Sequence, residues 1–79
     1  MEMRIKIIRK ISNTPEGAKI IAGAKLIYSV GSSERTLLES TKKFNGDTPI
    51  EEINKYIEEA ERQMNYFIKL REEYGFEID

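Results

Sequence analysis

After Asn45-Gly46, apolar side chains recur at helical spacing: Ile50, Ile53, Ile57, Ala60, Met64, Phe67 and Tyr74, with Tyr56 and Ile68 widening the stripe. The pattern predicts one helix over residues 49–74, about 39 Å long at a rise of 1.5 Å per residue. A helix apolar on one side only needs a surface to lie on. That surface has to come from residues 1–46, and this requirement constrains the fold more than any other feature of the chain.

The ends of the helix are marked. Thr48-Pro49-Ile50-Glu51 reads as a capping box, with Thr48 as N-cap, Glu51 reaching back to it and Pro49 in the first turn. Asp47, Glu51 and Glu52 suit the positive end of the helix dipole. Glu51 and Lys55, and Glu58 and Arg62, are ordered for i,i+4 pairing. Gly75 stands where a left-handed C-cap belongs, with Phe76 placed to touch Leu70 across it.

Residues 1–46 read in period two. In 2–11, Met3, Ile5, Ile7 and Ile11 fall on one side, and Glu2, Arg4, Lys6 and Lys10 on the other, with Arg9 and Ile8 as exceptions. That is a half-buried strand. "SNTPEG" follows as a turn cluster. In 18–30 every even position is apolar, from Ala18 to Val30, which favours a strand. Gly23 in its middle marks a bulge, a bend or a close backbone approach, and leaves one strand, two shorter strands or a helix opened by Thr14-Pro15 as alternatives. Residues 35–44 give a third strand, with a short helix capped by Ser33 as its rival. The expected fold is α+β, a three-stranded antiparallel β-meander followed by one long C-terminal helix packed on one face (βββα). It forms a single domain over residues 1–79. A helix of this length is expected to outrun three short strands.

The chain has no Cys and no His. Disulfides, thiolate metal sites and the commonest metal ligand and general base are therefore excluded. Glu58, Glu59 and Glu61 cluster on the outer side of the helix, as a solvated acidic face does. No phosphate-binding glycine loop or nucleophile elbow occurs. The sequence predicts no enzyme activity, no cofactor, no metal and no small-molecule substrate. The opening "MEMRIKIIRK" lacks the apolar run of a signal peptide, and no stretch approaches the roughly 20 residues of a membrane span. A soluble, cytoplasmic protein is expected. A 79-residue domain without disulfide or metal has few ways to gain buried area, so a homodimer is as expected as a monomer.

The charge is unevenly placed. Residues 1–46 carry nine Lys/Arg against four Glu, or +5, and residues 47–79 carry four against ten, or −6. Two candidate surfaces follow. On the strands, Arg4, Lys6, Lys10, Lys19 and Lys25, with Ile8, Ile21 and Ile27 among them, occupy the side away from the expected helix contact. Three β-branched side chains in a basic field suit a protein contact. Stacking on single strands would want aromatic rings, which this face lacks, while phosphate contacts need only the Lys and Arg. On the helix, Tyr66 and Leu70 fall outside the core stripe, close to Tyr74 and Phe76. These four form a candidate protein interface, with Glu59 and Glu73 steering basic partners.

The first expectation is a small non-catalytic interaction protein that occupies a surface of another macromolecule. Motif-poor domains of this size recur among accessory and inhibitor proteins of viruses and mobile elements, and that association colours the expectation. The alternative is a nucleic-acid-binding domain using the basic sheet face. A third arrangement sets the basic sheet of one copy against the acidic helix of another.

Overall fold

A computed structural model describes residues 2–77. The chain runs β1 (Glu2–Thr14), β2 (Gly17–Val30), β3 (Ser33–Asn45) and α1 (Ile50–Glu72). The strands form one antiparallel sheet in the order β1-β2-β3. The expected βββα arrangement is what the chain adopts.

The strands are longer than their hydrophobic alternation indicated. Ser12, Asn13 and Thr14 stay in the ladder opposite Lys19, Ala18 and Gly17, so only Pro15-Glu16 turns the chain. At the other end Val30 pairs with Ser33 around Gly31-Ser32. Gly31 has φ +60° and Ser32, like every non-glycine residue among those described, has negative φ, as a type II′ hairpin turn requires. Backbone pairing carries polar residues into a strand as readily as apolar ones, so the polar ends were hidden from a reading of side-chain pattern. Strands of 13, 14 and 13 residues then outreach the 23-residue helix. At about 3.3 Å per residue against 1.5 Å, the sheet is the longer element and the helix does not overhang it. The molecule is correspondingly drawn out, 45 × 26 × 16 Å.

β2 is one unbroken strand through Gly23. A Cβ at Gly23 would lie 1.9 Å from the Ser40 carbonyl oxygen and 2.7 Å from Thr41 Cα. The glycine thus permits a close approach of β3 rather than a break. Its φ of +153° is also one that side-chain-bearing residues rarely adopt.

The core lies between α1 and the face of the sheet that carries Ala22, Ala24 and Leu26 of β2. Ile53 and Ile57 pack with Ala22 and Phe44, joined by Ile7, Ile20 and Tyr56. Ala60 and Met64 pack with Ala24 and Leu26, joined by Met3, Ile5, Leu37, Phe67 and Ile68. Small residues at 22, 24 and 60 bring helix and central strand together, and the larger side chains of β1 and β3 close the sides. Leu37 reaches this core through a β-bulge. Leu26 pairs with Leu38 and Ile27 with Thr36, which leaves Leu37 as the extra residue. The bulge reverses the parity of β3 midway, and for that reason "RTLLESTKKF" shows no single period.

The helix ends differ from expectation at the N-terminus. Pro49 is the N-cap, with φ −57° and ψ 137°, and no side chain caps the helix. Thr48 instead closes the preceding turn, its amide donating to the Asn45 carbonyl (3.0 Å). The capping box is not formed. Arg62 bridges to Glu59, three residues earlier, rather than to Glu58. At the C-terminus the helix stops at Glu72, so Tyr74 lies beyond it rather than on its core stripe. The chain leaves through Gly75, and the Phe76 amide donates to the Leu70 carbonyl (3.1 Å).

Candidate functional site

Two surfaces remain free of the core, and they are built on opposite sides of the molecule. The first is the outer flank of α1 at its C-terminal end. Tyr66 and Leu70 stand one turn apart on this flank, since residues four apart share a helix face. Leu70 follows Tyr56 by about four turns and so keeps its orientation. Tyr56 leans toward β3, where its ring meets Phe44 edge-on at 5.7 Å and its hydroxyl hydrogen-bonds Ser40 at 3.3 Å. Leu70 therefore leans to the β3 side of the helix, while Tyr66 is turned further toward solvent.

Tyr66, Tyr74 and Phe76 are 61%, 62% and 63% exposed, three of the largest uncovered apolar side chains among the described residues. Leu70 is half-buried. Phe76 also lines an open groove of about 390 Å³, shared with Tyr28 and Leu37 of the sheet. Of the two acids expected to steer a partner, Glu73 is exposed, whereas the Glu59 carboxylate is engaged by Arg62. The four candidate residues thus all lie toward the C-terminal end of α1, Phe76 facing the groove beside the sheet and Tyr66 turned to solvent on the helix, with less free negative charge than the sequence suggested.

The second surface is the face of the sheet away from α1. Strand alternation and register put Arg4, Lys6, Lys10, Lys19 and Lys25 on it together, as expected. Ile8 and Ile27 also lie on this side but are only 6% and 9% exposed, which leaves Ile21 as the accessible apolar residue of the three. Ile8 sits opposite Gly23 in the register. The face is also less uniformly basic than the sequence implied. Arg4 pairs with Glu34 at 2.7 Å and Lys25 with Glu39 at 3.1 Å. Those acids come from β3, whose orientation the bulge obscured.

Lys43 was missed for the same reason. It pairs with Ile21, which pairs in turn with Lys10, so one row across the sheet reads Lys10, Ile21, Lys43. Phe44 on the core side could have revealed it, because the residue before an inward-facing one points outward.

Among the described residues, no group of three or more acidic side chains converges as a metal site would, and no helix is long and apolar enough to cross a membrane. The ion pairs are exposed, as surface pairs that contribute about 0–1 kcal/mol each usually are. Comparison with models of protein families, with curated proteins and with solved structures finds no match.

Proposed function

We propose that the protein is a non-catalytic interaction module that occupies a surface of another protein through the C-terminal end of α1. One observation carries the reading: Tyr66, Tyr74 and Phe76, in the last turns of α1 and the residues just after it, are all more than 60% exposed, whereas the other aromatic rings are buried more deeply. Aromatic side chains bring large contact area at low entropic cost and dominate the centres of protein interfaces. Leu70, half-buried one turn from Tyr66 and bonded through its carbonyl to the Phe76 amide, adds apolar area. The exposed Glu72 and Glu73 at the helix end favour a partner whose apolar pocket is bordered by basic side chains. The action is by occlusion, as in an accessory or inhibitor protein, because the site offers contact area and no reactive group.

The test compares wild type with a Tyr66→Ser, Leu70→Ser double variant. Affinity purification from the native cell identifies the partner, and light scattering reads whether that partner is a second copy. Truncating two interface-centre side chains at about 1–2 kcal/mol each should weaken binding roughly 30- to 1000-fold. If the double variant keeps every partner and the same mass, the helix patch is not the working surface.

A further inference from the structure

The open sheet face divides into two unlike halves. Its acids, Glu2, Glu34 and Glu39, all stand on the half near the β2–β3 turn, where Arg4 and Lys25 are paired. The other half carries Lys10 and Lys43 on either side of Ile21. Lys6 stands two rows away on β1 at the border of the halves, in the row of Lys25 and the Glu39 that pairs with it, with no acid in the intervening row of Ile8, Gly23 and Thr41. Glu16 and Asp47 stand beyond it, in the turns at the end of the sheet, where they line a groove with Lys19. Lys6, Lys10 and Lys43 are exposed, whereas Lys19 and Lys25 are half-buried. Lys19 also donates to Asn45 Oδ1 at 2.6 Å. Three exposed cations are therefore held on one patch. It measures about 13 Å along the strands and about 10 Å across them, from the strand rise and spacing. Such grouping of like charge opposes folding.

The surroundings decide what kind of anion fits. A protein partner would need an apolar anchor, and Ile8 and Ile27 are withdrawn from this face, leaving Ile21 alone. Single-stranded nucleic acid would need rings for its bases to stack on, and the strands present none here. A duplex asks for neither, because its outer surface is a phosphate charge about every 1.7 Å of axis, enough for each lysine to meet its own. We propose that Lys6, Lys10 and Lys43 bind the phosphate backbone of a nucleic-acid duplex without regard to sequence. The acidic helix lies one layer away, roughly 10 Å, a distance comparable to the Debye length of about 10 Å at 0.1 M salt. Its repulsion is therefore weakened at this salt and grows in more dilute salt.

The experiment is fluorescence anisotropy of a labelled DNA duplex of about 20 base pairs, titrated with the full chain from about 50 to 200 mM salt. Three phosphate contacts predict a log–log slope of about −2.7, or roughly a 40-fold loss of affinity across that range. A Lys10→Ala, Lys43→Ala double variant, its fold verified by thermal melting, should lower the slope by about 1.8. Arg replacements at the same positions should keep it, as should the Tyr66→Ser, Leu70→Ser variant, which separates this surface from the helix patch. The proposal is overturned by no binding up to about 1 mM protein at the lowest salt, given non-specific affinities of about 10⁻⁴ to 10⁻⁶ M. It is equally overturned if the slope survives in the double Ala variant, or if polyglutamate or a single strand displaces the duplex at lower concentration than unlabelled duplex does.

Discussion

Replacing Gly23 with Ala puts one methyl group where β2 and β3 leave no room. The added carbon would sit 1.9 Å from the Ser40 carbonyl oxygen, 2.7 Å from Thr41 Cα and 2.9 Å from the Ser40 carbonyl carbon. All three are backbone atoms, so no side-chain rotation relieves the clash and the two strands have to part. Overpacking of this kind costs about 1–3 kcal/mol. Forcing a Cβ onto a φ of +153° adds to it, within the ~1–3 kcal/mol range of glycine-only backbone. Each ladder hydrogen bond lost as the strands separate adds about 1 kcal/mol. These terms overlap, because parting the strands relieves the clash, and a net loss of about 3 kcal/mol is expected. A domain of this length has about 4–12 kcal/mol in total. At about 4–8 °C per kcal/mol, the melting temperature should fall by roughly 12–24 °C. Circular dichroism melts of wild type and variant read this directly, with Gly31→Ala as comparator. Gly31 also has positive φ, +60°, but nothing lies within 4 Å of its Cβ position, so it isolates the backbone term. If Gly23→Ala melts within about 4 °C of wild type, or no lower than Gly31→Ala, the close-approach reasoning is refuted.

Three further outcomes follow from the geometry. Thr48→Ala should change stability by no more than a few tenths of a kcal/mol in urea denaturation, because no side chain caps α1; a loss near 1 kcal/mol would mean the capping box forms after all. Met64→Ala should cost about 2–5 kcal/mol by the same measurement, since Met64 is 2% exposed and packs on Leu26 and Ala24, and a loss under 1 kcal/mol would show that the core collapses around the gap. A double-mutant cycle on Arg4 and Glu34 should give a coupling below about 1 kcal/mol that disappears in 1 M salt, and a larger, salt-resistant coupling would contradict the exposed geometry of the pair.

The sequence by itself determined the element order and the inward faces. Ile53, Ile57, Ala60 and Met64 are spaced so that only a helix lines them up, and Met3, Ile5 and Ile7 so that only a strand does. Burial follows such periods because an apolar side chain left in water is costly along the whole element, not at one residue. What belongs to pairing between elements was decided by the tertiary structure. The strand ends at Ser12 to Thr14 are set by backbone hydrogen bonds, which leave no mark on side-chain pattern. The bulge at Leu37 is set by what β3 must bury beside Met64 and Leu26. It also determines which way Glu34, Glu39 and Lys43 face, and so where on the sheet charge is neutralised and where it is not. Capping was misread for a related reason: Thr48 had a second use for its backbone, and the turn to Asn45 took it. The abrupt change from a basic to an acidic half was visible from the start. Only the three-dimensional register showed that the acids of β3 neutralise one end of the sheet and leave Lys10 and Lys43 exposed at the other, with Lys6 at the border between them.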